Sequence, residues 1–572
     1  MEEACSGAKS TITDDQQLSN ESPTAKGEET VQEAQKENCL EDKGECIAAG
    51  SYQTDKNAGG DVMCSSQDDD TAPEANVDNH LADHSLPTPD FSLMPDVIWV
   101  NILTTLSLSD RNHVAQTCKA LNAAFNHPTL WYTVKVNLHE FVAYRMEEVN
   151  NKGIISAERY LAFAERFSHF FQNLTLTYVG SLRKVPKCHK QVILTLAERC
   201  RLESLTLSVS HVSVKSLIRA SATDRPVVTD LDSIASIVTN AFRMRSFTLE
   251  AWPMYDNFRS YNLLEAVRKN PKLAGLEQLS LFWLRASNTT WASLNVEVPH
   301  AEEMALTVSH FNRLTHLKVR STMLSNEVLR AFAGSQRLPL QNLSILLTYS
   351  RRKVAGVIPQ LLPSSWKKLV ASCPGVNVYV TVVTRIPHQE LSDFLKVEIP
   401  LYGINFMHYS RCESQDVLSI TNKYSKTLQK FADYTDASYG DECLVRLVTE
   451  CQCLNYLVYH GLIFHTNLLQ VINLRGRQWY WLEIFEDNIV TQQANQETDE
   501  ETVVRRSETG EYYLVSNQVE EESEEERLSK LSMLHQTARE VIGRGWVPVG
   551  SSERPGADVD GDNGQRESCT VA

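Results

Sequence analysis

The chain of 572 residues has no uninterrupted run of 18 apolar residues, so nothing in it reads as a membrane span. It opens on a polar, acidic stretch instead of a basic and apolar one, which speaks against a secretory signal peptide. Its 13 cysteines are odd in number and irregularly spaced, without the framework of a disulfide-stapled secreted domain. Reduced thiols in the cytoplasm or nucleus are the expectation. Enzyme signatures are missing too: there is no P-loop, no His-Glu-x-x-His and no Gly-x-Ser-x-Gly. No histidine pair has ligand spacing beside cysteines or carboxylates, and Cys451-x-Cys453 lacks a second pair for zinc. Neither cofactor nor metal is expected. Basic residues form only short clusters such as Arg351-Arg352-Lys353, not the concentrated stripe that nucleic acid demands.

Charge is present in plenty but unevenly. The chain holds 55 Lys+Arg and 72 Asp+Glu, a net charge of -17. Residues 1–85 carry 20 acids and 5 lysines; residues 486–572 carry 20 acids and 8 basic residues. The middle is left with 32 acids and 42 basic residues, net +10. Both ends are polar, and the first 85 residues have almost no aromatics, so they cannot bury enough apolar surface to offset chain entropy. Acidic disordered tails are predicted over 1–85 and, for the most part, over 486–572. Within the second, Leu528, Leu531, Leu534, Ala538 and Val541 fall at helical spacing and predict one helix over 523–543.

Residues 86–135 change character. Met94-Pro95 opens a helix whose Ile98, Ile102 and Leu106 share a face, with Leu103 beside them. Ser109-Asp110 is placed to cap a second helical run carrying Val114, Cys118, Leu121 and Phe125. His127-Pro128 stops it, and Leu130-Trp131 follows. Three short helices make a small core, which predicts a partner that completes it.

From about 165 to 485 one phrase recurs, apolar-x-x-apolar-x-apolar. It is read at Phe171/Leu174/Leu176, Leu202/Leu205/Leu207, Met244/Phe247/Leu249, Leu276/Leu279/Leu281, Leu314/Leu317/Val319 and Leu340/Leu343/Ile345. It continues at Cys373/Val376/Val378, Leu401/Ile404/Phe406, Leu454/Leu457/Tyr459 and Trp479/Leu482/Ile484. One copy is missing near Leu428, where Phe431 fits and Asp433 does not. Helical stretches separate the phrases. A short strand plus a helix at such a period is a leucine-rich-repeat solenoid, here over 136–485. The fold class is α/β.

The stretch 93–131 resembles the F-box. The residues that carry this are Met94-Pro95, Ile102-Leu103, Leu106 with Asp110, Thr117-Cys118 and Pro128-Thr129-Leu130-Trp131. Met94 stands for the usual leucine, Arg111 for the leucine after the Asp, and Leu121 for a common tryptophan. The repeat region is similar to one branch of the F-box only proteins, the members numbered thirty-three and thirty-nine. Leu338–Leu346, Trp366–Leu369, Ile399-Pro400-Leu401 and Leu474-Arg475-Gly476 carry that likeness.

The resemblance implies a non-catalytic substrate receptor of a Skp1–cullin–F-box ubiquitin ligase. It implies that Pro95, Ile98, Ile102, Leu103, Leu106, Leu121, Leu130 and Trp131 serve Skp1 binding, some of them as the domain's own core. The repeats would hold a protein substrate on their concave face. There, side-chain alternation puts His316, Lys318 and Arg320 on one strand and aromatic Tyr456 and Trp481 near the end. The net positive middle admits an acidic or phosphorylated substrate, and equally masking by the chain's own acidic tails. The competing reading is a repeat scaffold whose first helices only cap the solenoid. It would bury Ile98, Ile102 and Leu103 against Leu138 and the first repeat.

Overall fold

The computed structural model describes residues 94–137, 157–178, 187–209, 231–250, 262–281, 299–334, 336–349, 358–408, 410–435, 440–491, 503–506, 512–515 and 523–543. The chain divides into two units, Met1–Pro87 and Thr88–Ala572, and every described residue belongs to the second. The tail expected over 1–85 lies outside the described residues, as does Leu138.

Three helices open it: α1 (Asp96–Thr104), α2 (Leu108–Ala115) and α3 (Lys119–Phe125), followed by a 3-10 turn, Pro128–Trp131. Pro95 precedes α1, where its missing N–H costs nothing. The cap of α2 is Ser107, whose hydroxyl accepts the Asp110 N–H at 3.2 Å, two residues ahead of the expected Ser109. The run from Val114 to Phe125 is not one helix. It breaks at Cys118, whose extended backbone starts α3 and whose thiol accepts the Leu121 N–H. Arg111 donates to the carbonyls of Leu106 (3.0 Å) and Thr104 (2.9 Å). It thus satisfies acceptors that the end of α1 leaves open.

Strands and helices then alternate. They are β1 (Thr133–Asn137), α4 (Ala157–Phe167), β2 (Asn173–Tyr178), α5 (Lys187–Arg199), β3 (Ser204–Val209) and α6 (Leu231–Asn240). Next come β4 (Ser246–Glu250), α7 (Leu263–Lys269), β5 (Gln278–Ser280), α8 (Ala301–His310), β6 (His316–Arg320) and α9 (Asn326–Phe332). Then follow β7 (Asn342–Leu347), α10 (Pro363–Ser372), β8 (Asn377–Val382), α11 (His388–Phe394), β9 (Leu401–Phe406) and α12 (Ser414–Tyr424). The series ends with β10 (Lys430–Asp433), α13 (Asp441–Glu450), β11 (Tyr456–Tyr459), β12 (Ile463–Phe464), α14 (His465–Arg475), β13 (Trp481–Ile484) and β14 (Ile489–Val490). A hairpin, β15 (Val503–Arg506) and β16 (Tyr512–Val515), and α15 (Glu524–Ile542) follow.

Twelve strands, β1 to β11 and β13, join in chain order into one parallel sheet. Parallel neighbours require a crossover, and the helices supply it, packing on one another along most of the array. The result is a leucine-rich-repeat solenoid. Its logic is legible in the burial: Leu205, Leu207, Phe247, Leu317, Val319, Leu343 and Ile345 are wholly enclosed, while the residues between them face the other side. Side chains from one repeat also close the helix ends of its neighbour. The Asn270 amide donates to the carbonyls of Val238 and Ala241, both at 2.8 Å, at the end of α6. Arg337 does the same for Val308 at the end of α8 (3.0 Å) and for Ala331 in α9 (3.1 Å). Arg475 reaches Val448 and Cys451 at the end of α13. No repeat is complete without the next.

Two details of the repeat pattern differ from expectation. The phrase at Cys373/Val376/Val378 is two residues early, because β8 pairs Leu343 with Val378 and Ile345 with Val380. Cys373 and Val376 are buried all the same, ahead of the strand, and so mimic its pattern. The missing copy exists as β10, with Phe431 paired to Leu457 and Asp433 to Tyr459. Asp433 is fully buried in the third apolar slot. Its Oδ1 accepts the Thr435 N–H at 2.9 Å, the local turn an aspartate makes with the backbone two residues on.

Just beyond 485, where a tail was expected, residues 486–491 still pack on the last repeats. Ile489 pairs with Ile463, and buried Asn488 donates to the His460 carbonyl at 2.6 Å. Helix α15 falls within 523–543 and packs on α14 through Leu531, Leu534, Ala538 and Ile542, all buried. Leu528 is exposed instead, and Val541 is only half-buried. Gly543, at φ +70°, ends the helix in the left-handed conformation that glycine adopts freely. Among the described residues no helix is long and apolar enough to cross a membrane.

Candidate functional site

Two surfaces stand out, one on the opening helices and one on the sheet face. At the first, α1 is apolar on both sides. Val100 and Leu103 face the core, while Val97, Ile98 and Ile102 are 63%, 42% and 42% exposed. Ile98 and Ile102 are one turn apart and share a face. Pro95 is exposed beside them, and Leu106 and Leu121 are half-buried against the core. Leu103, Leu130 and Trp131 are core residues, at most 1% exposed. These three belong to the expected Skp1-binding set, some of which was to be the domain's own core, and they lie beneath the patch. Val97 was missed by the helical stripe because it lies one residue off the Ile98/Ile102 line; its exposure puts it in the patch.

Trp131 fixes this domain to the solenoid. Its indole N–H donates to the Phe125 carbonyl at 2.8 Å. Its ring meets Phe125 edge to face (5.0 Å), Phe163 (5.1 Å) and Phe167 (4.7 Å), the last two on α4. Arg111 lies 5.7 Å over the same ring. The three helices therefore cap the first repeat and still present an apolar patch.

The second surface is the sheet face opposite the helices. Hydrogen-bonded register defines one row across the sheet: Thr248, Ser280, Lys318, Ser344, Tyr379, Gly403, Lys430, Tyr456 and Trp481 occupy it in turn. The irregularity between Val378 and Tyr379 slides the later strands by two residues. Tyr456 and Trp481 each stand one residue before the middle apolar position of their phrase, as His316 does, yet the register puts them in the row of Lys318.

The rings in that row touch. Tyr456 and Trp481 stack at 6.3 Å with planes 14° apart, and Trp481 is 41% exposed. Lys430 Nζ lies 5.5 Å from the Tyr456 ring and 5.9 Å from Tyr402, which meets Tyr379 at 5.1 Å. Gly403 makes the close approach feasible, since a Cβ there would lie 3.1 Å from both Tyr379 and Lys430. Trp481 is oriented by Glu483, whose Oε2 accepts the indole N–H at 3.1 Å while Oε1 meets His460 Nε2 at 3.0 Å.

Burial shifts the ionisable groups here. It lowers Lys430 below the usual lysine range and pushes the Tyr379 hydroxyl up to about 12, with Tyr402 adding to the second. His316 is lowered by burial and then by Lys318 beside it, against a smaller opposing pull from Glu277. Arg320 is lowered by burial. Thus His316, Lys318 and Arg320 do share β6, but they stand four strands away from Lys430.

Residues 91–137 match the family model described as F-box-like, so an F-box-like domain heads this leucine-rich-repeat solenoid. Among curated proteins, F-box only protein 33 of Mus musculus is 27% identical over 211 residues, 34% of this chain and 37% of that protein. The matched stretch spans about a third of the relative's length. Among solved structures, the TLR13–ssRNA13 complex overlays 54% of this chain and 34% of that one, at 14% identity and TM-score 0.24. That overlay carries no argument; the repeat architecture rests on the strand register.

Proposed function

We propose that this chain is the substrate-recognition subunit of a Skp1–cullin–F-box ubiquitin ligase. Its F-box-like helices would bind Skp1, and through it a cullin-RING module, and its repeats would bind a protein destined for ubiquitin transfer. The observation that supports this best is the exposure of Val97, Ile98 and Ile102 on α1, in a domain matching the F-box-like family. A helix that served only to cap the solenoid would turn such side chains inward, because leaving them in water forfeits roughly 1.5–3 kcal/mol each. The chemistry of transfer belongs to the recruited enzyme, and the adaptor contributes proximity. This reading puts the protein in the cytoplasm, the nucleus or both.

The test is co-purification of the full chain with Skp1 and cullin, beside Pro95→Ala/Ile102→Asp. Capture by the parent chain and its loss in a variant that keeps the parent's melting curve is the expected result. No capture by the parent chain would leave the scaffold reading, which the packing of Trp131 on Phe163 and Phe167 also accommodates.

A further inference from the structure

We propose that the row through Tyr379, Lys430, Tyr456 and Trp481 binds an extended acidic peptide, one that places an aspartate or glutamate on Lys430 beside an apolar or aromatic side chain. This deepens the adaptor reading by naming a substrate class, and it rests on that reading only for its biological purpose.

The first argument is charge. The row that register defines, and the row on its strand-start side through His316, Asn342 and Asn377, contain no carboxylate among the paired strand residues; the row on the strand-end side holds Glu483, whose two oxygens are engaged by the Trp481 indole and His460. They do contain Lys135, Lys318 and Lys430. Lys430 has no ion pair among the described residues and is held between two rings. A cation so placed is partly desolvated without a counter-charge, and a ligand carboxylate would supply one.

The second argument is shape. Tyr379, Tyr402, Tyr456 and Trp481 form ring contacts on both sides of Lys430, with Gly403 as a gap in the row. Apolar side chains flanking the acidic one would lie on these rings, and stacked tyrosine and tryptophan are the residue types that dominate binding energy at interfaces. Adjacent strands lie about 4.8 Å apart, so Lys318 and Lys430, four strands from each other, are separated by roughly 19 Å along the sheet. An extended chain covers that in about six residues, which allows a second acidic side chain at that spacing. A phosphorylated ligand is disfavoured: a dianion is ordinarily gathered by several arginine forks, and this row has single, separated lysines.

The experiment is a selection from a display library of random twelve-residue peptides on the full chain, repeated on Lys430→Glu and Tyr456→Ala/Trp481→Ala. Each variant is checked for an unchanged melting curve and unchanged Skp1 capture. The expected result is enrichment of acidic residues next to aromatic or large aliphatic ones. A representative selected peptide would lose at least tenfold in affinity on Lys430→Glu and would bind more weakly at high salt. Peptides without acidic enrichment, peptides that bind the variants as well as the parent, or no enrichment at all would overturn the proposal. So would a selected peptide that binds only after a serine is phosphorylated. Peptide binding without Skp1 capture would sink the adaptor reading and spare this one; capture without acidic peptides would do the reverse.

Discussion

The Trp131 indole donates to the carbonyl of Phe125 at 2.8 Å, and their rings cross at 83°. Because Trp131 also packs on Phe163 and Phe167 of α4, one side chain belongs to two cores at once. The F-box-like helices and the first repeat are therefore one stability unit.

Trp131→Ala should cost about 3–5 kcal/mol, the usual price of emptying a fully buried aromatic site. Chemical denaturation of the variant should show the first repeat weakened together with the helices, and Skp1 capture should fall with it. Ile102→Asp should behave oppositely: the site is 42% exposed, so stability should change by no more than about 0.5 kcal/mol while capture is lost. If Trp131→Ala left the repeats as stable as before, the shared core would be refuted.

How much of this was readable beforehand follows from which signals are local. Leu-x-x-Leu-x-Leu phrases depend on alternation within one strand, so nine of the ten phrases read, all but the one at Cys373, fell at strands of the sheet. Asp433 hid a repeat because a buried carboxylate stands in an apolar slot, and its bond to the Thr435 N–H two residues on is something no hydropathy pattern records. The aromatic row was misaligned because the irregularity at Val378/Tyr379 is a property of two strands together. Arg111 looked like a defect in the F-box pattern; its role in closing α1 requires carbonyls that only the folded turn presents.

Arg337 makes a second testable joint. Its guanidinium donates to carbonyls of two helices and lies 4.3 Å over Phe332. Arg337→Ala should destabilise the chain by about 1.5–3 kcal/mol, the range for hydrogen bonds to a charged group. Arg337→Lys should recover little of that, because a single ammonium lacks the planar fork. Urea midpoints of the three proteins decide the matter, and a fully restored midpoint with lysine would show that charge alone suffices.

The thiols give a chemical readout of burial. Desolvation pushes Cys200 and Cys451 up to about 12, and Cys412 rises through burial and the nearby Asp433 and Asp416 charges. Cys118 and Cys453 are exposed. Brief alkylation near neutral pH should label Cys118 and Cys453 and spare the buried Cys200, Cys373, Cys412 and Cys451, as peptide mapping would register. Raised folded-state values also set a direction for stability. The contribution is whole below the unfolded value near 9 and is lost as pH climbs from there toward 12, since the unfolded thiol ionises first. Melting temperature should fall across that window, and Cys200→Ala should blunt the fall.

His316 provides the opposite sign. Burial and Lys318 hold its value below the ordinary 6.5, so the unfolded chain takes up the proton first as pH drops. Its contribution is present above 6.5 and is lost as pH falls through the lowered value, with only a modest magnitude because the ring is half-exposed. An NMR titration should therefore find His316 with a midpoint below 6.5, and Lys318→Ala should move it upward without restoring it fully, since desolvation is the larger cause. At neutral pH the ring is uncharged, and Lys318 alone carries positive charge at that point of the row. Charge-dependent binding on this face should then be traced to Lys318 and Lys430, and Lys318→Ala/Lys430→Ala should flatten its salt dependence more than His316→Ala does.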